Sequence, residues 1–243
     1  MALSGNSYHY AIDPFLLFCF SRFRWDDKVA DLGTATAILP LLVIAQAKAD
    51  KVVGVEIQSQ LVARAQQNIE YNELQDKISL LHADICEVHP KRLLPHESFD
   101  VVLTNPPYRR AGTGRIAPDD ERAACRHELH GGLDDFLACA YYLLRNGGRF
   151  CLIYLAERLP ELLARMRERK LEPKRIRMVH SRSGDPAKLV LVEGRRNGKP
   201  GAEIEPPLYI YDGEDYSDEM QEMMRNLPRI FDVDQSSESE SPC

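Results

Sequence analysis

Apolar and polar positions alternate along this chain in two distinct rhythms. After residue 28, short apolar runs five to seven residues long recur, and most are followed by a stretch with helical spacing. Lys28–Leu32, Lys51–Glu56, Ile78–Ala83, Phe99–Thr104 and Arg149–Tyr154 have the length and β-branched content of buried strands. Between them, Ala37–Lys48 reads as a helix with Pro40 in its tolerant first turn. Gln58–Tyr71 places Leu61, Ala65 and Ile69 on one helical face. Leu133–Leu144 is a third helix, stopped by Asn146-Gly147-Gly148, and Pro160–Lys170 is a fourth.

The rhythm changes near the end. Lys174–His180 and Lys188–Glu193 are two apolar runs with no helix between them, so they form an antiparallel pair joined by Ser181–Pro186. The expected fold is α/β: a seven-stranded, mostly parallel sheet with a terminal antiparallel hairpin and helices on both faces. Ligands of such sheets bind outside the carboxyl ends of the strands. Three regions follow from the pattern. Residues 1–27 form an N-terminal segment whose apolar helix Pro14–Phe20 lids the cofactor end. Residues 28–215 form the main domain. Residues 216–243 form an acidic extension whose polar end, Ser236–Cys243, is expected to be disordered.

Length and composition narrow the class. The chain has 243 residues, enough for one large core. It contains no run of eighteen uncharged apolar residues, and Met1–Gly5 has no signal-peptide pattern, so a cytoplasmic protein without a membrane span is expected. The six cysteines are scattered and none lies in a Cys-x-x-Cys pair, which fits reduced, buried thiols. No cysteine–histidine cluster completes a zinc site, so no metal is expected. The formal charge of -6 hides an asymmetry. Residues 109–199 carry 20 basic and 12 acidic side chains, and residues 200–243 carry 2 and 12. A basic middle suits a polyanionic partner, or arginines that simply solvate helix faces.

The candidate chemistry lies at the strand ends. Asp31-Leu32-Gly33-Thr34-Ala35-Thr36-Ala37 joins the first strand to the first helix through small residues that let the backbone approach a ligand. Glu56 ends the second strand, beside Ile57, where a carboxylate can accept two ribose hydroxyls and disfavours a phosphorylated ribose. Asp84 ends the third, placed to accept an adenine amino group with Ile85 against the ring. Asp31 and Asp84 are also suited to capping helices. Asn105-Pro106-Pro107-Tyr108 follows the fourth strand. Its prolines hold Asn105 extended. The Asn105 side-chain oxygen and the Pro106 carbonyl can then accept both hydrogens of a planar exocyclic amine, with Tyr108 stacked on its ring. That arrangement suits alkylation of a weakly nucleophilic nitrogen by alignment and electrostatics.

With these motifs in place, the chain resembles the class I S-adenosylmethionine-dependent methyltransferases, which have a Rossmann-like fold. Within them it is similar to the bacterial tRNA adenine-N6 methyltransferases that modify adenine 37 of valine tRNA. The resemblance runs from Tyr8-His9-Tyr10-Ala11-Ile12-Asp13-Pro14-Phe15 through Asp31–Ala37, Glu56, Asp84 and Asn105–Tyr108 to Pro206-Pro207-Leu208-Tyr209-Ile210-Tyr211. It implies S-adenosylmethionine held by Asp31, Gly33, Thr34, Ala35, Ala37, Glu56, Ile57, Asp84, Ile85 and Asn105, and catalysis by Asn105, Pro106, Pro107 and Tyr108. The partner it implies is tRNA, through its anticodon loop, with Arg109, Arg110, Arg115, Arg182 and Lys188 as phosphate contacts. Asn-Pro-Pro-Tyr also occurs in glutamine-N5 protein methyltransferases, which leaves a protein acceptor open. Ala35 and Ala37 stand where the family carries glycines, and alanine resists positive φ. That departure leaves open an RNA-binding protein that keeps the fold but binds little cofactor.

Overall fold

The computed structural model describes residues 12–46, 49–106, 132–228 and 230. The segment Tyr8–Ala11 and the tail Ser236–Cys243 lie outside the described residues. Five parallel strands run in the order β3 (Ile78–His82), β2 (Lys51–Glu56), β1 (Lys28–Leu32), β4 (Phe99–Thr104) and β5 (Leu144–Leu155). Next comes β7 (Ala187–Arg196), antiparallel to both β5 and its other neighbour, β6 (Leu171–His180). The seven expected strands are therefore present, with the late hairpin folded so that its second strand lies inside its first. Two two-residue strands extend the edge beyond β6: β8 (Glu203–Ile204) and β9 (Leu208–Tyr209), both parallel to it.

Alternation along each strand divides the core in two. Val29, Val101, Leu103, Cys151 and Ile153 face one side of the sheet. That side is covered by α1 (Asp13–Phe20), α2 (Ile38–Ala45) and α3 (Ser59–Tyr71). Ala30, Leu32, Val102, Phe150 and Leu152 face the other side, covered by α4 (Ile85–Val88), α5 (Leu133–Leu143) and α6 (Leu159–Glu168). Helix α2 is buried on every residue from Ile38 to Ile44. A helix apolar all round needs cover on both sides. The sheet supplies one side, and α1 supplies the other with Leu16, Leu17, Phe18 and Phe20.

Several boundaries differ from the sequence pattern. β5 begins at Leu144 directly after α5, and Gly147 and Gly148 lie inside it. Its register against β4 jumps from Leu144 to Arg149, so these glycines form a bulge and do not only stop the helix. The acidic C-terminal region contains an ordered helix, α7 (Asp218–Arg225), capped by Ser217 and anchored by Met220, which is 1% exposed. Arg177 of β6 holds it by a two-oxygen pairing with Glu219. Among the cysteines described, Cys139 and Cys151 are buried, whereas Cys86 is exposed.

Candidate active site

The turn after β1 is held on β2. The Gly33 and Thr34 amides both donate to the Val55 carbonyl, at 2.9 and 3.0 Å. Asn68 of α3 donates to the Thr36 carbonyl at 3.0 Å. The backbone alternates between hands: Gly33, Ala35 and Ala37 have φ of 73°, 49° and 65°. The two alanines therefore adopt the left-handed conformation that their Cβ atoms disfavour. Ala37 is buried in the core, while Ala35 is exposed. Gly54, which belongs to none of the motifs above, makes room for this turn. A Cβ on Gly54 of β2 would lie 2.7 Å from Thr34 Cγ2, so only glycine lets Thr34 tuck against the strand.

Two carboxyls sit beneath the turn in opposite states. Glu56 is 5% exposed and accepts from the amides of Ala35 (2.9 Å), Ile57 (3.0 Å) and Gln58 (2.9 Å). Three of roughly four acceptor positions of the carboxylate are thus taken by backbone. A pair of ligand hydroxyls must share with or displace one of these amides. Asp31 is 1% exposed, and among the described residues neither of its oxygens has a hydrogen-bond partner. Burial pushes its carboxyl up to about 7; the neighbouring Thr34 hydroxyl opposes this and the Glu56 charge adds to it. The Thr34 Oγ1 lies near Asp31 but is itself unpartnered, short of hydrogen-bond geometry. A buried acid left without donors is a place where a ligand cation gains a partner.

At the end of β3, Asp84 caps α4 by accepting from the Cys86 amide at 2.8 Å. Ile85 is 7% exposed and packs in the core with Val55, Val88 and Phe99. The end of β4 is tied to the end of β1: the Thr104 hydroxyl donates to the Leu32 carbonyl at 2.8 Å, fully buried. This bond sets the half-buried Asn105 and buried Pro106 beside Gly33. Phe136 of α5 leans over the same glycine, 3.6 Å from where its Cβ would be. Pro107, Tyr108, Arg109, Arg110 and Arg115 lie outside the described residues.

Beyond Asn105, the carboxyl edge continues through β5, β7 and β6. Tyr154, next to last in β5, lies two residues past the partner of Thr104. Arg158 stacks over its ring at 5.0 Å and donates from Nε to Glu161 at 3.0 Å. Pairing with Glu161 outweighs burial and raises the guanidinium pKa further. With strands about 4.8 Å apart, Arg158 is one strand from the Asn105 loop, exposed Lys188 two, and Arg182 three. Arg182 is already engaged: it stacks over Tyr211 at 5.2 Å and donates to the Gly213 carbonyl at 2.9 Å. A cavity of about 490 Å³ lined by His89, Arg92, Leu94, Pro95, His96 and Tyr142 lies before the start of β4, away from this edge.

Residues 42–184 match the family model described as RMKL-like, methyltransferase domain. The chain belongs to this family. It is 28% identical over 165 residues to a tRNA1(Val) (adenine(37)-N6)-methyltransferase of Porphyromonas gingivalis, covering 68% of this chain and 64% of that protein. It is 23% identical over 204 residues to a protein of the same name from Dyadobacter fermentans, covering 82% and 81%. Its fold is similar to that of Atu636 from Agrobacterium tumefaciens, described as a predicted O-methyltransferase: TM-score 0.69 at 21% identity, covering 88% of this chain and 95% of that one. It is also similar to M. capricolum TrmK, solved with S-adenosyl-homocysteine, with TM-score 0.52 at 13% identity and coverage of 78% and 69%.

Asp31, Glu56 and Asn105 stand at or just past the strand ends where the apolar spacing puts them. Arg158 falls in the short 3-10 turn Ala156–Arg158, where the sequence has no periodic pattern. A fifth parallel strand ends at the same edge as the fourth, so charged residues just past Leu155 border the Asn105 loop.

No helix among the described residues is long and apolar enough to cross a membrane.

Proposed function

We propose that this chain transfers the methyl group of S-adenosylmethionine to the exocyclic N6 of an adenine in tRNA, at the anticodon loop, in the cytoplasm. One observation carries the reading. The buried, unpartnered Asp31 and the Asn105–Pro106 start of Asn-Pro-Pro-Tyr are held at one edge by the Thr104–Leu32 hydrogen bond.

The residues present suit the cofactor. Asp31, with no donor of its own, matches the ammonium of a methionyl group. Gly33–Ala37 offers a backbone that a ligand can approach, and Glu56 keeps acceptor capacity for a ribose hydroxyl. When bound, S-adenosylmethionine supplies a methyl group on a positively charged sulfur, an electrophile that needs no activation by the protein. The work left to the chain is alignment. Asn105 Oδ1 and the Pro106 carbonyl accept the two amine hydrogens and turn the nitrogen lone pair toward the cofactor. Tyr108 supplies a ring for the flipped base to lie on. The N–CH3 bond forms as the S–CH3 bond breaks, and the proton then shed by the alkylated nitrogen passes to water, so no strong base is required at this edge. The names of the Porphyromonas and Dyadobacter relatives support adenine in tRNA as the acceptor.

Calorimetric titration with S-adenosylhomocysteine tests the cofactor half of the proposal. Saturable one-to-one binding, weakened at least tenfold in Asp31→Ala, is expected. A folded wild-type chain with no saturable binding contradicts it and favours a fold-retaining RNA-binding protein.

A further inference from the structure

At the far end of the carboxyl edge, the chain builds a small aromatic arm. After β9, the amides of Ile210 and Tyr211 donate to the carbonyls of His180 and Ser181, at 3.0 and 2.9 Å, so the arm grows directly from the end of β6. It is a two-stranded hairpin, β10 (Tyr211–Asp212) and β11 (Asp215–Tyr216), in which Tyr211 faces Tyr216 across the ladder. Their rings stack at 5.3 Å and 14°. The Arg182 guanidinium also lies over the Tyr211 ring, at 5.2 Å, and is clamped to the Gly213 carbonyl. The base of the arm is also fixed: Ser217 Oγ donates to the Tyr209 carbonyl at 2.6 Å, and Tyr209 lies against the His180 ring at 5.3 Å. Arg182 and Tyr216 thus both pack on Tyr211, and Tyr216 is 39% exposed.

A flat, pre-ordered and partly exposed ring in a cation–aromatic cluster is suited to one kind of occupant, another flat π-system. The arm's charges select further. Asp212, Glu214 and Asp215 are exposed around the turn, and Asp185 stands on the neighbouring loop. Against them are Arg182, whose guanidinium is committed, Lys188 and His180, whose Nδ1 donates to the Asp185 carbonyl. This balance is negative, so the arm repels a phosphate backbone while its ring faces still accept a neutral base. Its position suits the same occupant. It lies four strand positions, roughly 19 Å, from the Asn105 loop on the side away from the cofactor turn, within reach of a flanking loop nucleotide.

Resting on the methyl-transfer reading above, we infer that Tyr216, backed by Tyr211 and Arg182, is a stacking platform for an unpaired base of the substrate RNA flanking the methylated adenine. The platform favours a single-stranded loop over a duplex, because only an unpaired base can leave its neighbours to lie on it.

The test is steady-state methylation of an unmodified tRNA by the full chain, comparing wild type, Tyr216→Ala and Tyr216→Phe. Loss of one base–aromatic stack is expected to raise the KM for tRNA about five- to hundredfold in Tyr216→Ala. Turnover at saturation, S-adenosylhomocysteine affinity and melting temperature should stay at wild-type values. Tyr216→Phe keeps the ring and should restore KM, which a merely structural hydroxyl would not allow. The slope of log affinity against log salt should be the same in all three proteins, because no charge is removed. If wild type methylates tRNA and Tyr216→Ala keeps its KM, the platform is overturned while the methyl-transfer reading stands. If wild type methylates a glutamine peptide and ignores RNA, both fall.

Discussion

Replacing the two left-handed alanines by glycine separates conformational strain from packing, because the two sites differ in burial. A left-handed L-residue costs about 1–2 kcal/mol, and glycine removes that cost. Glycine also loses more backbone freedom on folding, which returns roughly 0.5–1 kcal/mol. At exposed Ala35 nothing else changes, so Ala35→Gly should stabilise the fold by about 0.5–1 kcal/mol. Ala37 is fully buried, and deleting its methyl forfeits about 0.8 kcal/mol of burial, so Ala37→Gly should be close to neutral. Ala140 in the middle of α5, also fully buried but helical, serves as control, and glycine there should cost about 1 kcal/mol or more. Thermal unfolding followed by circular dichroism reads the series. For a chain of this size, the Ala35→Gly gain corresponds to a Tm rise of roughly 1–4 °C. A fall in Tm for Ala35→Gly comparable to that of the Ala140 control would refute the strain argument.

Three further outcomes follow from the geometry. Asn105→Ala should lower kcat for methylation on the order of a hundredfold while leaving S-adenosylhomocysteine affinity within threefold, and unchanged turnover would remove Asn105 from the catalytic role. The Asp31 carboxyl, raised to about 7, keeps a proton in the folded chain that the unfolded chain has already lost above pH 4. Its contribution to stability is therefore full below about pH 4 and is lost as pH rises through about 7, by on the order of 4 kcal/mol at most. The ligand-free chain's Tm should drop across that window more steeply in wild type than in Asp31→Asn, and parallel curves would show that Asp31 titrates normally. Arg158→Ala should raise the KM for tRNA and reduce the salt slope of RNA binding by about 0.7–0.9, one phosphate's worth, with Arg158→Lys retaining the slope. An unaltered slope would make Arg158 a structural partner of Tyr154 and Glu161.

The legible parts of this molecule are those with a period or a fixed place in the topology. Seven strands and four main helices follow from apolar spacing, because alternate residues of each strand must fill two cores, as Val101 and Val102 do. Asp31, Glu56 and Asn105 were legible because strand ends in a parallel sheet share one edge. Features two residues long were not. β8 to β11 lie in a stretch rich in proline and acidic residues, and their existence depends on pairing with β6 or with each other. The fit of Thr34 against Gly54 is a contact between side chain and backbone on different strands, with no trace in either local pattern. The state of the two acids was likewise hidden. Glu56 is saturated by amides that exist only because the turn folds over it, and Asp31 is isolated by burial that depends on the whole core.

The most direct measurement is nucleoside analysis of an unmodified valine tRNA after incubation with the purified chain and isotopically labelled S-adenosylmethionine. The account predicts label in N6-methyladenosine from the anticodon loop and none after incubation with Asn105→Ala. Label in another nucleoside or in a glutamine side chain, or equal label with the Asn105 variant, would contradict it.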